Sequence, residues 1–324
     1  MSSHVQPFIF LDEADTASLI SIRDAVETCE AVLREQGAGQ AFLSNPTAMF
    51  VEGDPAASVK FKIKGGALRG LDVCGLRIVG DIGKDGVNGE HHYCLLLDPV
   101  TAKPRGLIAQ TELHRIRTAA CGLVALRHLA ASTTKNVALI GAGKIGSWFA
   151  KGFHDLFPGS RLIIASRTLE SARTLAEEIS ARGHAAEAMS IHQASREADA
   201  IVAISTAAEP VIDISALRPG MTVIGMGEYH ELPVGLLHRA DRFIVDDFGF
   251  ASMLGSLSYW ISTGGISREA AQGRVAATLS QIIAGNLPGR VSDSQAIVAI
   301  VQGLAIADLA LADLCRRRFL TAIT

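Results

Sequence analysis

Nothing in this sequence marks a nucleic-acid binder, a membrane span or a disulfide scaffold. Basic and acidic side chains nearly balance, 30 against 33, for a formal net charge of −3. A binder of nucleic acid usually concentrates basic charge on one face, so that class is not expected here. No uncharged apolar run reaches the length of about 18 residues that a membrane helix requires. The opening MSSHVQPFIF has no basic start leading into an apolar stretch, so no secretory leader is expected. The 5 cysteines (Cys29, Cys74, Cys94, Cys121 and Cys315) are scattered and never spaced as CxxC. They read as reduced core thiols of a cytoplasmic protein, not as disulfides or zinc ligands. His91 and His92 are adjacent, so on a strand they point to opposite faces, and no HxH or HExxH occurs. No metal site is expected.

What is present is a large apolar chain. With 324 residues, 48% hydrophobic and 19% charged, it can bury a substantial core and form two domains. From Asn136 onward short β-branched runs alternate with helical patterns: NVALIGA (136–142), RLIIASR (161–167), AAEAMSI (185–191), DAIVAIST (199–206), MTVIGMG (221–227) and RFIVDD (242–247). That alternation implies βαβ units and a doubly wound parallel sheet of the Rossmann kind. The first 130 residues differ. LISIRDAVETCEAVLREQG is helical in period, while SVKFKIKGG, CGLRIVGD and HHYCLLLDP alternate like strands of a mixed or antiparallel sheet. TELHRIRTAACGLVALRHLA reads as a long helix, and AIVAIVQGLAIADLALADLCRRR, from Ala296, as an apolar helix that packs on the first domain or on a partner subunit. The expected fold is therefore α/β, with a Rossmann domain at 131–295 inserted into a discontinuous α+β domain made of 1–130 and 296–324.

GAGKIG places Gly141, Gly143 and Gly146 directly after a strand and at the head of a helix. The first glycine permits the tight turn, the second lets a pyrophosphate approach the backbone, and the third lets helix and strand pack closely. The helix N-terminus then offers its N–H groups to the phosphates. Gly141, Gly143, Lys144, Ile145 and Gly146 are the expected phosphate contacts, with Ser205, Thr206 and Met226 at the ends of later strands. The tip of the next strand usually carries an acid that binds the ribose hydroxyls of NAD. Here it carries Ser166, Arg167 and Thr168. A guanidinium with two hydroxyls suits a 2′-phosphate, so NADP is the expected cofactor and NAD the alternative.

The first domain concentrates cations on elements that otherwise read as buried. Lys60, Lys62 and Lys64 share one face of a strand, Arg77 sits between Leu76 and Ile78, and Arg117 precedes the small apolar run TAACGLVAL. A buried cation calls for an anionic partner. Lys60 and Lys62 read as a solvated edge, whereas Arg77 and Arg117 read as ligand-binding. His114 stands three residues before Arg117, on the same helix face. Asp81 and Asp85 follow Arg77 and are reserve candidates for recognising an amine. Tyr259 and Trp260 read as helix-packing residues.

These segments together resemble the ornithine cyclodeaminase/mu-crystallin family, which also includes alanine dehydrogenases of that type and ketimine reductases. The resemblance rests on HRIRTAACGLVALRHLA, LLLDPVTAKPRGLI, GAGKIG, GNLPGR (285–290) and GLAIADLALADL, with Gly303 and Asp308 in the closing helix. It implies an NAD(P)-dependent oxidoreductase acting on the carbon–nitrogen bond of a small α-amino or α-imino acid, in a homodimer formed through the first domain. It further implies that Arg117 holds the substrate carboxylate, with Lys64 and Arg77 lining the same pocket. Arg77 stands where relatives carry a lysine, and Glu228, followed by His230, is the nearest match to their acid. Arg77, Glu228 and His230 are thus the expected catalytic residues. A guanidinium is a poor proton donor, because its pKa lies above about 12. That feature and the longer acid count against a strict ornithine cyclodeaminase, the second reading. A non-enzymatic NADPH-binding protein, as mu-crystallin suggests, is the third.

Overall fold

The computed structural model describes residues 8–53, 59–82 and 90–323. Asp85 lies outside the described residues. In chain order the elements begin with β1 (Ile9–Leu11), α1 (Glu13–Ala17), α2 (Ile22–Gly37), β2 (Ala41–Leu43), β3 (Met49–Glu52), β4 (Val59–Leu68) and β5 (Val73–Ile82). Next come β6 (Glu90–Leu97), β7 (Pro104–Ala109), α3 (Thr111–Leu129), β8 (Asn136–Ile140), α4 (Lys144–Leu156), β9 (Arg161–Ala165), α5 (Leu169–Ser180) and β10 (Ala186–Ala188). Then follow α6 (Ile191–Glu197), β11 (Ala200–Ala203), β12 (Thr222–Gly225), α7 (Val234–Arg239), β13 (Arg242–Val245), α8 (Phe248–Ala251) and α9 (Gly255–Ser262). The last are α10 (Arg268–Arg274), β14 (Val275–Thr278), α11 (Leu279–Ile283), β15 (Ile297–Ile300) and α12 (Ala305–Ile323).

The chain divides into two compact units, 1–117 with 304–324, and 118–303. The first holds a seven-stranded sheet in the order β1-β7-β6-β5-β4-β2, with β3 also on β4. Every pair in it is antiparallel except β1 with β7, which makes the sheet mixed. One face is covered by α12, whose residues Ala305 to Asp313 are all buried. α2 is set by a capping box: the Ser21 side chain accepts from the Asp24 N–H, and the Asp24 carboxylate accepts from the Ser21 N–H.

The second unit is an eight-stranded sheet in the order β10-β9-β8-β11-β12-β15-β13-β14, parallel throughout. Its central strands are buried along their whole length, as parallel strands covered on both faces should be. The strand order turns back between β8 and β11, which creates the topological switch point at which open α/β sheets take their ligands.

One expectation needs correction. The segment starting at Ala296 is not one helix: Ile297–Ile300 forms β15, between β12 and β13, and the helix begins only at Ala305. A run of buried β-branched residues has no alternation to distinguish it from a buried helix. Gly303, at φ +78, makes the break between them in a backbone region that glycine adopts without strain. The two compact units part at 303/304, just past that glycine, and at 117/118 within α3.

Candidate functional site

The expected site residues fall mainly in two clusters, one in each unit. The glycine loop of the second unit is built as the motif demands. Gly141 has φ +126, and a Cβ there would lie 2.2 Å from the Ile204 carbonyl oxygen. At Gly146 a Cβ would lie 1.9 Å from the Gly141 oxygen, so no side chain fits where α4 crosses β8. Gly143 is different: a Cβ would meet nothing within 4 Å. The space beside it is therefore open to a ligand. Gly143 is also the N-cap of α4 and supplies no side-chain hydrogen bond, so the helix start keeps its N–H groups for an anion. Lys144 and Ile145 begin that helix.

At the tip of β9 Ser166 is half-buried and Arg167 is exposed, with no salt bridge to another described residue. Thr168 is the N-cap of α5: its hydroxyl accepts from the Ser171 N–H and shares a 2.7 Å hydrogen bond with the Ser171 hydroxyl. Its oxygen is therefore engaged in capping. Past β11 and β12, Ser205 and Met226 both bond to Glu231, while Thr206 is exposed. The Met226 side chain is buried against α3, where a Cβ at Gly122 would come within 2.6 Å of its sulfur.

The second cluster lies in the first unit, on the sheet face under α12. In the antiparallel register Lys64 is directly opposite Arg77, and Arg77 is opposite Cys94. Lys62 is opposite Val79, and Val79 is opposite His92. Side chains of such partners share a face. Lys62, Lys64, Arg77, His92 and Arg117 are all buried, and so is Asp308 of α12 at 0% exposure. Lys62 is therefore no solvated edge residue, whereas Lys60 is exposed. Tertiary packing separates the two lysines in fate, and strand period cannot report it.

Asp308 organises this face. Arg117 Nε donates to its Oδ1 at 2.8 Å, Arg77 Nε stands 3.4 Å from the same oxygen, and Lys64 Nζ is 3.5 Å from Oδ2. Gln110 joins Arg77 to α12: its Oε1 accepts from Arg77 Nε at 3.1 Å, and its Nε2 donates to the Asp308 backbone oxygen at 3.1 Å. Burial opposes ionisation of Asp308, but Arg117, Arg77 and Lys64 outweigh it and hold the carboxyl below its usual range. Lys64 goes the other way. Burial lowers its pKa from 10.5 to about 7, with Arg77, Arg117 and Lys62 pushing in the same sense and Asp308 alone opposing. Like charges directly opposite on a sheet are destabilising, so the pairing of Lys64 with Arg77 costs this face stability.

His114 belongs to this cluster. Burial, then Arg77 and Arg117, push its pKa well below 6.5. Arg117 Nη2 donates to its Nδ1 at 2.7 Å, which fixes the neutral tautomer with the proton on Nε2. It orients the guanidinium instead of competing with it. Glu228 and His230, by contrast, lie in the second unit. Glu228 is exposed, and His230 stacks on Tyr259 with ring centroids 3.7 Å apart. Burial lowers the His230 pKa, against the pull of Glu209. Trp260 is buried and donates from Nε1 to the Leu232 oxygen at 2.8 Å. Among the described residues no group of three or more His, Cys, Asp or Glu could hold a metal ion. Among them no helix is long and apolar enough to cross a membrane.

Sequence reasoning did not single out Gln110, and it read Lys62 as a solvated edge residue. It met Asp308 only as part of a closing motif, although a lone acid in the apolar run GLAIADLAL is itself a signal for a buried partner.

Comparison with known proteins agrees in extent. The model of the ornithine cyclodeaminase/mu-crystallin family matches residues 8–322. A Delta(1)-pyrroline-2-carboxylate reductase of Bacillus thuringiensis subsp. konkukian is 30% identical over 256 residues, 75% of this chain and 76% of its own. Among solved structures, the reductase of the same name from Thermococcus litoralis, in complex with NADH and L-proline, superposes with a TM-score of 0.85 at 23% identity, covering 97% of this chain and 98% of that one. An archaeal alanine dehydrogenase dimer with bound NAD gives 0.87 at 24% identity, covering 98% and 97%.

Proposed function

Since the chain belongs to the ornithine cyclodeaminase/mu-crystallin family, we propose that it is a nicotinamide-dependent oxidoreductase acting on the carbon–nitrogen bond of a small α-imino or α-amino acid. The observation that carries this reading is the buried face on which Lys64, Arg77 and Arg117 surround Asp308. A guanidinium pair with an adjacent ammonium is suited to a carboxylate, which it can hold through charge-assisted, bidentate hydrogen bonds. The Bacillus relative, named a reductase of a cyclic imino acid, fits that chemistry.

The dinucleotide is assigned to the second unit. Gly141 and Gly146 shape the turn, the open space at Gly143 admits the pyrophosphate, and the start of α4 binds it. The exposed Arg167, with Ser166 beside it and no acid at the strand tip, favours NADP over NAD. A reduced nicotinamide supplies hydride to the imine carbon. What this chain adds is a clamp on the carboxylate and a proton for the nitrogen. Lys64 is the donor of choice, because a pKa of about 7 lets it give up a proton near neutrality. Arg77 stays charged at any accessible pH and serves binding alone. Glu228 and His230 are the second pair to which the proton could be assigned, and the exposure of Glu228 favours Lys64.

The outer face of the first sheet supports a homodimer. Phe10, Phe42, Met49, Phe61 and Leu76 lie exposed on the side opposite the cations, and exposed apolar residues gathered on one face commonly mark a contact surface. The archaeal alanine dehydrogenase, a dimer, is consistent with that assembly.

The test is turnover. The purified chain, given NADPH or NADH with cyclic and linear α-imino acids, should oxidise the cofactor. Conversion of ornithine to proline with release of ammonia would favour the cyclodeaminase reading instead. Cofactor binding without turnover on any of these would favour the binding-protein reading.

A further inference from the structure

Glu231 is a buried carboxylate that the reaction as described does not use. It is 1% exposed, and among the described residues no cation bonds to it. It accepts four hydrogen bonds, divided between two segments. Oε2 takes the Ser205 N–H at 2.9 Å and the Ser205 hydroxyl at 2.7 Å. Oε1 takes the Met226 N–H at 2.9 Å and the Gly227 N–H at 2.6 Å. Ser205 follows β11 and Met226 follows β12, and these strands are parallel neighbours. The carboxylate thus bridges the two segments that leave adjacent strands at their carboxyl ends.

The segments are packed tightly around it. A Cβ at Gly227 would lie 2.5 Å from the Ser205 oxygen and 2.7 Å from the Glu231 carboxyl carbon. The Gly227 oxygen accepts from Gln302 Nε2 at 3.2 Å, and Gly255, at φ +73, donates its N–H to the Glu228 oxygen at 3.1 Å. Burial raises the Glu231 pKa, and the Gly227, Ser205 and Met226 donors oppose that by favouring the charged form. A neutral side chain could cover the same volume, so the charge serves to gather donors from two segments at once.

We propose that Glu231 is a positioning residue for the cofactor: it locks the segments after β11 and β12 into the arrangement that receives the nicotinamide half of the dinucleotide. The proposal rests on the cofactor reading above. A dinucleotide in this sheet crosses the switch point between β8 and β11, with its pyrophosphate on the glycine loop. The adenosine half goes toward the tip of β9, where Ser166 and Arg167 stand. The other half then falls at the ends of β11 and β12, the segments that Glu231 joins. Glutamine cannot replace it, because an amide presents acceptor capacity on one side only. Its NH₂ would face N–H or O–H donors on the other side.

The experiment uses the full-length chain. NADH and NADPH are titrated by fluorescence, melting is followed by circular dichroism, and imine KM and kcat are measured separately. Glu231→Gln should raise the cofactor Kd at least ~10-fold, equivalent to about 1.4 kcal/mol. The imine KM at saturating cofactor should stay near that of the parent. Ser205→Ala removes one donor only and should give a smaller rise. Gly227→Ala wedges the two segments apart with the carboxylate intact, so it should reproduce the Glu231→Gln phenotype and decides the matter if that variant does not fold. A folded Glu231→Gln or Gly227→Ala with parental cofactor Kd would overturn the proposal, even if melting is lowered, because that is the signature of a structural role alone. A parent chain that binds neither cofactor would overturn the cofactor reading itself, and the proposal with it.

Discussion

Replacing Lys64 with methionine tests whether the buried ammonium is a proton donor or only a charge. The change keeps an unbranched apolar stem, slightly shorter than that of lysine, and removes the titrating group. In the parent, Nζ lies 3.5 Å from an Asp308 oxygen, and burial lowers the pKa from 10.5 to about 7. A depression of that size is worth about 5 kcal/mol between the two protonation states. The sign follows from proton counts. Between pH 7 and 10.5 the unfolded chain holds the Lys64 proton and the folded chain has released it. The unfolded state therefore binds more protons in that window, and stability should rise with pH across it. Below the folded pKa the full cost of charging the buried amine is present, and it fades as pH climbs toward the ordinary lysine range. Urea denaturation at a series of pH values in this window should show the slope in the parent and a flattened one in Lys64→Met. Turnover gives the second readout. Imine reduction requires the protonated donor, so kcat in the parent should fall as pH rises through about 7. In Lys64→Met that limb should vanish and kcat should drop by roughly 10²–10⁴, the usual worth of a positioned general acid. Cofactor affinity should not move, because Lys64 belongs to the other unit. A variant that keeps the parental kcat and the same limb would refute Lys64 as donor and return the role to Glu228 or His230.

Arg117→Ala should abolish turnover while NADPH still binds, and the loss of one partner of a buried pair should cost about 3–5 kcal/mol of stability. Arg117→Lys should restore only part of the activity, since a point charge lacks the planar fork; near-parental kcat/KM in either variant would refute the clamp. Arg167→Ala should weaken NADPH by about 1.5–3 kcal/mol and leave NADH nearly unchanged. Equal or tighter binding of NADH by the parent would show that Arg167 does not read a 2′-phosphate. Light scattering at micromolar concentration should give a dimer, and Leu76→Glu, on the exposed apolar face, should shift it toward monomer. A monomeric parent would remove that face from consideration as a subunit contact.

Local pattern carried the parts of this protein whose physics is local. A strand, three glycines and an amphipathic helix are contiguous in the chain, and Gly146 meets a steric demand set by Gly141, a few residues before it. The alternation of apolar runs with helical segments likewise announced the parallel sheet, because strands buried on both faces must be apolar throughout. Arg77 and Arg117 stood out because a cation inside an apolar run contradicts its surroundings. Packing decided the rest. Strand period placed Lys60, Lys62 and Lys64 on one face, but tertiary packing separates exposed Lys60 from buried Lys62. β15 read as helix because its identity as a strand depends on β12 and β13, which receive it from either side. Asp308 comes to Arg117 from 191 residues away, and Glu231 draws in Ser205 from 26 residues away and Gly227 from four. A carboxylate's partners at such separations are chosen by the chain's collapse as a whole, since the hydrogen bonds form only after the strands that carry the donors have been set side by side.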